Sequence, residues 1–195
     1  MTGIVDYGAG NLRSVQKALE YLGERAVVSD SAEILDGCER LILPGVGAFG
    51  QGMSALNAKG LADYLLRRVA DTPLLGICLG MQFLMRRSFE GGEHAGLGLC
   101  AGDVVRFTQG KVPAIGWNGV TGLRPPLFEG LPEGSEFYFV HSYYAPVGAY
   151  TIGRAEYGAE YSAAVWDGHN AYGVQFHPEK SGETGLRLLR NFLHL

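Results

Sequence analysis

Apolar and polar positions along the first half of the chain fall into two alternating kinds of segment. Short unbroken apolar runs occur at Ile4-Val5, Ala26-Val27-Val28, Leu41-Ile42-Leu43 and Leu74-Leu75-Gly76-Ile77. Runs this short, apolar at successive positions, predict strands covered on both faces, as in parallel sheets. Between them apolar residues recur every three or four positions. Leu12, Val15, Ala18, Leu19 and Leu22 mark one helical face, with Asn11 at the N-cap position and Gly23 closing the segment. Leu61, Leu65, Leu66 and Val69 mark another, broken by Pro73. Met81 to Arg87 reads as a return to helix after the fourth strand. The second half is richer in Tyr, Gly, Val and Phe. Its runs Phe137-Tyr138-Phe139-Val140 and Ala171-Tyr172-Gly173-Val174 predict further strands, some antiparallel, before a last helix over Leu186, Leu189, Phe192 and Leu193. Strands separated by helices imply βαβ units. The expected fold is therefore α/β: an open, mostly parallel sheet flanked by helices, with some antiparallel strands in the C-terminal half. No repeat or linker divides residues 1–195, and Pro125-Pro126 reads as a loop, so one domain is expected.

Composition narrows the partners. With 47% hydrophobic residues among 195, the chain can bury about 70% of its unfolded surface in one core. Lys and Arg number 16 against 20 Asp and Glu, for a net charge of −4 and no basic tract. That balance argues against nucleic acid and anionic membranes as partners. No apolar run approaches the ~20 residues of a membrane span, and the start, MTGIVDYGAG, lacks the features of a signal peptide. Three widely spaced cysteines point to a reducing, cytoplasmic setting rather than a disulfide framework.

Chemistry in an open parallel sheet collects at the carboxyl ends of the strands. Gly76-Ile77-Cys78-Leu79-Gly80 puts a cysteine at such an end, in the thiol counterpart of the G-x-S-x-G nucleophile elbow. The helix that follows aims its positive N-terminus at the sulfur. The competing reading is a buried packing thiol, which is how Cys38 and Cys100 are read. A thiolate nucleophile needs a base, and a base needs an orienter. His177, in Val174-Gln175-Phe176-His177-Pro178-Glu179, supplies both, because positions i and i+2 of an extended segment point the same way and Glu179 can reach one ring nitrogen. Taken alone, the segment also fits a strand-end histidine bonded to backbone. An oxyanion hole would take the Leu79 N–H and a second donor from Pro44-Gly45-Val46-Gly47, a run that equally describes a plain Pro-Gly turn. Two glycines there would let the Val46 peptide rotate.

Together PGVG (44–47), GICLGMQ (76–82) and FHPEK (176–180), in this order and spacing, resemble the class I, triad-type glutamine amidotransferases. The similarity runs from Val5 to Lys180. It includes VDYGAGNLRSV (5–15), GLGLCAGDVVRF (96–107), GWN (116–118) and YFVHSYY (138–144). The resemblance implies a glutaminase. Cys78 attacks the side-chain amide of L-glutamine, His177 carries the proton to the departing ammonia, Glu179 orients His177, and Val46 and Leu79 hold the oxyanion. It also implies glutamine contacts from Gly47, Gln82, Glu90 and the backbone of Ser142 and Tyr143. Gln82 lies four residues beyond Cys78 on one helix face. Glu90, near Arg86, Arg87 and Glu93, also fits a surface role, and His141 a pocket wall. The resemblance implies no cofactor and no metal. It implies a separate (β/α)₈-barrel synthase subunit that receives the ammonia, docking near Asn11, Trp117, Asn118 and Lys180; a barrel of about 250 residues has no room in this chain. A glutaminase serving a different aminase, a lone thioester hydrolase and an inert scaffold subunit are the alternatives. The DYGAGNLRSV and GWN segments weigh against the first, and the intact Cys78, His177 and Glu179 against the last.

Overall fold

The structure, a computed structural model, describes residues 1–195. The first half runs β1 (Thr2–Val5), α1 (Leu12–Tyr21), β2 (Ala26–Ser29), α2 (Ala32–Asp36), β3 (Arg40–Gly45), α3 (Phe49–Ala58), α4 (Leu61–Arg68), β4 (Leu74–Cys78) and α5 (Leu79–Phe83). The second half is mostly strand: β5 (Met85–Ser88), β6 (His94–Ala95), β7 (Cys100–Arg106), β8 (Ala114–Val120), β9 (Ser135–His141), β10 (Tyr143–Tyr144), β11 (Thr151–Glu156), β12 (Glu160–Trp166) and β13 (Ala171–Val174). A 3-10 turn (Pro178–Lys180) and α6 (Gly182–Phe192) close the chain.

Seven strands form the main sheet in the order β11-β12-β13-β4-β3-β1-β2. The five from β13 to β2 are parallel, and β12 and β11 extend one edge antiparallel. Within the continuous apolar runs the side chains alternate between faces, as strand pleating requires. Ile4, Ile42, Leu75 and Ile77 pack with Val15 and Leu19 of α1 and Leu188, Leu189 and Phe192 of α6. Val5, Leu41, Leu43 and Leu74 pack on the other face with Phe49, Met53 and Leu56 of α3 and Leu61 and Leu65 of α4. The sheet is thus buried between two helical layers. A smaller sheet, β10-β7-β5-β6, and the ribbon β8-β9 carry the rest of the second half. No helix is long and apolar enough to cross a membrane.

Two local readings change. The helix expected from Met81 to Arg87 stops at Phe83, and Met85–Ser88 is a strand pairing in parallel with β7. Met85 and Ser88 are inside, across a register shift in the pairing, so the ladder to β7 outweighs any helical preference of the segment. Helix α3 left no apolar signature in the sequence because Gly50 and Gly52 interrupt it. Both glycines are there for packing, since a Cβ on Gly50 would meet the His94 ring at 2.6 Å and one on Gly52 would run into Phe83.

Candidate active site

Three adjacent strands end side by side where the chemistry was expected. Gly45 of β3 lies opposite Cys78, the last residue of β4, and Val174 of β13 lies opposite Ile77. Cys78 has φ 55 and ψ −109, and no other non-glycine residue has a positive φ. Such a conformation costs about 1–3 kcal/mol and turns the side chain sharply off the sheet end. The flanking glycines make room for the elbow. A Cβ on Gly76 would strike the Gly80 backbone, and one on Gly80 would strike the Leu43 carbonyl. Gly45 serves the same close packing, since a Cβ there would meet the Gly80 nitrogen at 2.6 Å. The backbone freedom expected of both PGVG glycines therefore belongs to Gly47, which has φ +100 and open space around it.

His177 follows β13, its N–H donating to the Tyr138 carbonyl at 2.9 Å. Its Nδ1 lies 2.9 Å from Glu179 Oε1, and both side chains are buried. The contact is made, but through a different backbone from the one expected. Pro178–Lys180 is a 3-10 turn, which folds Glu179 back beneath the ring, and Ser181 Oγ locks it by donating to the His177 carbonyl at 2.6 Å. Burial pulls the imidazole down, but the neighbouring Cys78 sulfur and Glu179 carboxylate outweigh it and raise His177 to about 9. Its Nε2 is buried with no hydrogen bond. The Cys78 thiol instead donates toward the Val140 carbonyl at 3.9 Å and receives Gln175 Nε2 at 3.7 Å.

A cavity of about 360 Å³ opens over this pair. Val46, Gly47, Leu79, Gln82, Glu90, Ser142 and Tyr143 all line it with Cys78 and His177, as do Pro113, Val140 and His141. Glu179 stands behind His177 and outside the cavity wall. Arg86 pairs with Asp103, and Arg87 with Asp103 and Glu93, which leaves Glu90 to the pocket. There its Oε2 accepts the Phe49 N–H at 2.8 Å, at the first residue of α3.

A cysteine on a strained elbow, a carboxylate-backed histidine and an open cavity make a constellation suited to acyl transfer through a thiol. The family model for glutamine amidotransferase class-I matches residues 3–195. The chain belongs to this family. Among its relatives, the imidazole glycerol phosphate synthase subunit HisH of Moorella thermoacetica is 50% identical over 195 residues, covering 97% of this chain and 92% of that protein. The protein of the same name from Methanocaldococcus jannaschii is 45% identical over the whole of both chains. A crystal structure of a glutamine amidotransferase superposes with a TM-score of 0.78 at 25% identity, covering 99% of this chain and 97% of that one. PurLQS from Thermotoga maritima, at 23% identity and a TM-score of 0.76, shares the fold.

The candidate site includes residues the sequence reading passed over. Tyr7, in the segment after β1, buries a hydroxyl near Val46 and Cys78 that has no hydrogen-bond partner. Gln175, fully buried, touches the sulfur. A signal for it existed, since it precedes His177 by two residues in the segment that leaves β13. The suggested docking residues lie on three different elements, the start of α1, β8 and the turn after His177. Trp117 is 56% exposed and meets Tyr138 edge-on at 6.2 Å, and Lys180 is exposed in the turn after His177. Asn118 Nδ2 is already engaged by the Glu156 carbonyl at 2.9 Å. Asn11 sits at the N-cap of α1 but makes no side-chain cap.

His141 is a wall residue with consequences for stability. Its Nδ1 donates to the Tyr143 carbonyl at 2.9 Å, its Nε2 is buried and unpartnered, and burial above all pulls its pKa down to about 4. The unfolded chain takes up a proton below about 6.5 while the folded chain resists until about 4, so stability falls as pH drops through that window, by up to about 3 kcal/mol. Urea titrations at pH 7 and pH 4.5 should show the loss in wild type and a smaller one in His141→Gln. Equal losses in both would contradict this assignment.

Proposed function

We propose that this chain is the glutaminase subunit of an imidazole glycerol phosphate synthase, acting as one domain over residues 1–195. The observation that carries the reading is Cys78 on its elbow, facing His177 backed by Glu179, in a cavity walled by Gln82 and Glu90. The imidazole glycerol phosphate synthase subunits among the relatives supply the synthase.

L-glutamine enters with its α-amino group toward Glu90 and its carboxylate toward the backbone at Ser142 and Tyr143. The Cys78 thiolate attacks the side-chain amide carbon, and His177 gives its proton to the leaving ammonia. A γ-glutamyl thioester remains, which water hydrolyses with His177 as base. The oxyanion formed in each step lies between the N–H groups of Leu79, which opens α5, and Val46. The Val46 N–H must point into the pocket to serve, and Gly47, at φ +100 with open space around it, is the pivot. Ammonia passes to a separate (β/α)₈-barrel subunit, which uses it to convert the ribulosyl aminoimidazole-carboxamide nucleotide PRFAR into imidazole glycerol phosphate and an aminoimidazole carboxamide ribotide. Trp117 and Lys180, exposed on the ribbon and on the turn after His177, face that partner.

The test is glutamate release with and without a barrel subunit and PRFAR. An oxyanion donor is worth about 10²–10³ in rate, so the isolated chain should be slow and stimulation of about that size should follow partner binding. Gly47→Ala, forced away from φ +100, should lower the ratio of stimulated to basal turnover. An isolated chain as fast as the complex would sink the switch, and stimulation only by a different aminase would sink the assignment.

A further inference from the structure

Gln175 has both ends of its amide committed in the one place where the nucleophile and the substrate cavity meet. Its side chain is 0% exposed. Its Oε1 accepts from Gln82 Nε2 at 3.0 Å, and its Nε2 donates to Cys78 Sγ at 3.7 Å. Gln82 Nε2 donates its other hydrogen to the Tyr143 carbonyl at 3.1 Å, the same carbonyl that accepts from His141 Nδ1. Donation runs outward from the Gln82 amide, to the Tyr143 carbonyl on one side and through Gln175 to the sulfur on the other. Turning the Gln82 amide over would put its oxygen against two other oxygens. Turning Gln175 over would face oxygen to sulfur and amide nitrogen to amide nitrogen. Each amide therefore fixes the other, and the Gln82 oxygen is left as the atom offered to the cavity.

We propose that Gln175 is a positioning residue that joins the glutamine-binding Gln82 to the Cys78 sulfur and stabilises that sulfur as a thiolate. The proposal rests on Cys78 being the glutaminase nucleophile. An N–H donor to sulfur is worth most when the sulfur is charged, because hydrogen bonds to ions are roughly twice as strong as neutral ones. The sulfur is anionic before attack and again when it leaves the γ-glutamyl thioester, so the Gln175 N–H acts at both moments. His177 cannot fill this role alone, since it must surrender its proton to ammonia while Gln175 keeps its own. Gln175 is fully buried, which makes the loss of either partner expensive.

The experiment reads the pH dependence of Cys78 alkylation by iodoacetamide in the full chain, for wild type, Gln175→Glu and Gln175→Met. The other ionisable groups around the sulfur stay in place: His177 and Glu179 after β13, Tyr7 after β1, His141 at the end of β9, and Glu90 across the cavity after β5. Both variants should alkylate about tenfold more slowly at pH 7, Glu more so than Met, and converge on wild type in strongly alkaline solution, where the thiolate forms without help. Gln175→Met, uncharged and of similar length, keeps the test open if the carboxylate prevents folding. In the partner complex the same variants should raise KM for glutamine through Gln82 as well as lower kcat. A pH profile superimposable on that of wild type, or one slowed equally at every pH, overturns the proposal. If wild type itself neither hydrolyses glutamine nor loses activity on alkylation, it is the glutaminase reading that fails.

Discussion

Glutamine hydrolysis in the partner complex should fall by ~10⁴-fold or more when Cys78 is replaced by alanine, with folding and partner binding unchanged. Alanine keeps the Cβ that the elbow already tolerates at φ 55, so the substitution removes one sulfur and adds no strain. The Val140 carbonyl that loses a sulfur contact lines the cavity, and the Gln175 amide keeps its bond from Gln82. A glutamine-like electrophile such as diazo-oxo-norleucine should label Cys78 alone. Cys38 and Cys100 are buried thiols, and burial raises both, Cys100 to about 12, which keeps them from forming the reactive thiolate. Peptide mapping after inactivation reads this directly. Wild-type-like turnover in Cys78→Ala, or label on either other cysteine, would remove the covalent mechanism.

His177→Ala and Glu179→Gln separate the proton carrier from its orienter. The first should be nearly as inactive as Cys78→Ala. The second should lose roughly 10²–10⁴ in turnover yet stay measurable, because a base remains in reach of the sulfur. The pH profiles add a sign that a structural defect would not produce. The imidazolium must be present to protonate departing ammonia, and His177 holds its proton up to about 9, so activity should fall on the alkaline side near that value. Glu179 helps raise it, and its Oε2 is buried without another partner, so the imidazolium is what balances the buried charge. Glu179→Gln should therefore shift the alkaline limb to lower pH. An unmoved limb would mean that Glu179 only braces the turn.

The parallel sheet was legible because its strands are covered on both faces, and unbroken apolar runs have few other uses in a chain of this composition. The elbow was legible for a related reason. Gly76 and Gly80 are required by close backbone approach, and a steric requirement of that kind leaves its mark on the sequence. The strand at Met85–Ser88 was not legible. Its pairing with β7 depends on residues some fifteen positions away, which no local period records. Helix α3 was hidden by glycines that answer to His94 and Phe83 rather than to helix propensity.

The chemistry divides along the same line. The residue types in order, Cys78 before His177 before Glu179, came from the sequence, but the contact of the last two is made by a 3-10 turn rather than by the extended segment expected. Which glycine of PGVG is free was a tertiary matter, because Gly45 is pinned by α5 and only Gly47 has open space. Glu90 turned toward the cavity because Asp103 and Glu93 claim the two arginines beside it. The bond from Gln175 to the sulfur joins residues 97 apart. Hydrogen bonds of that kind depend on three-dimensional position alone, and the packing of β4 against β13 is what brings those two side chains together.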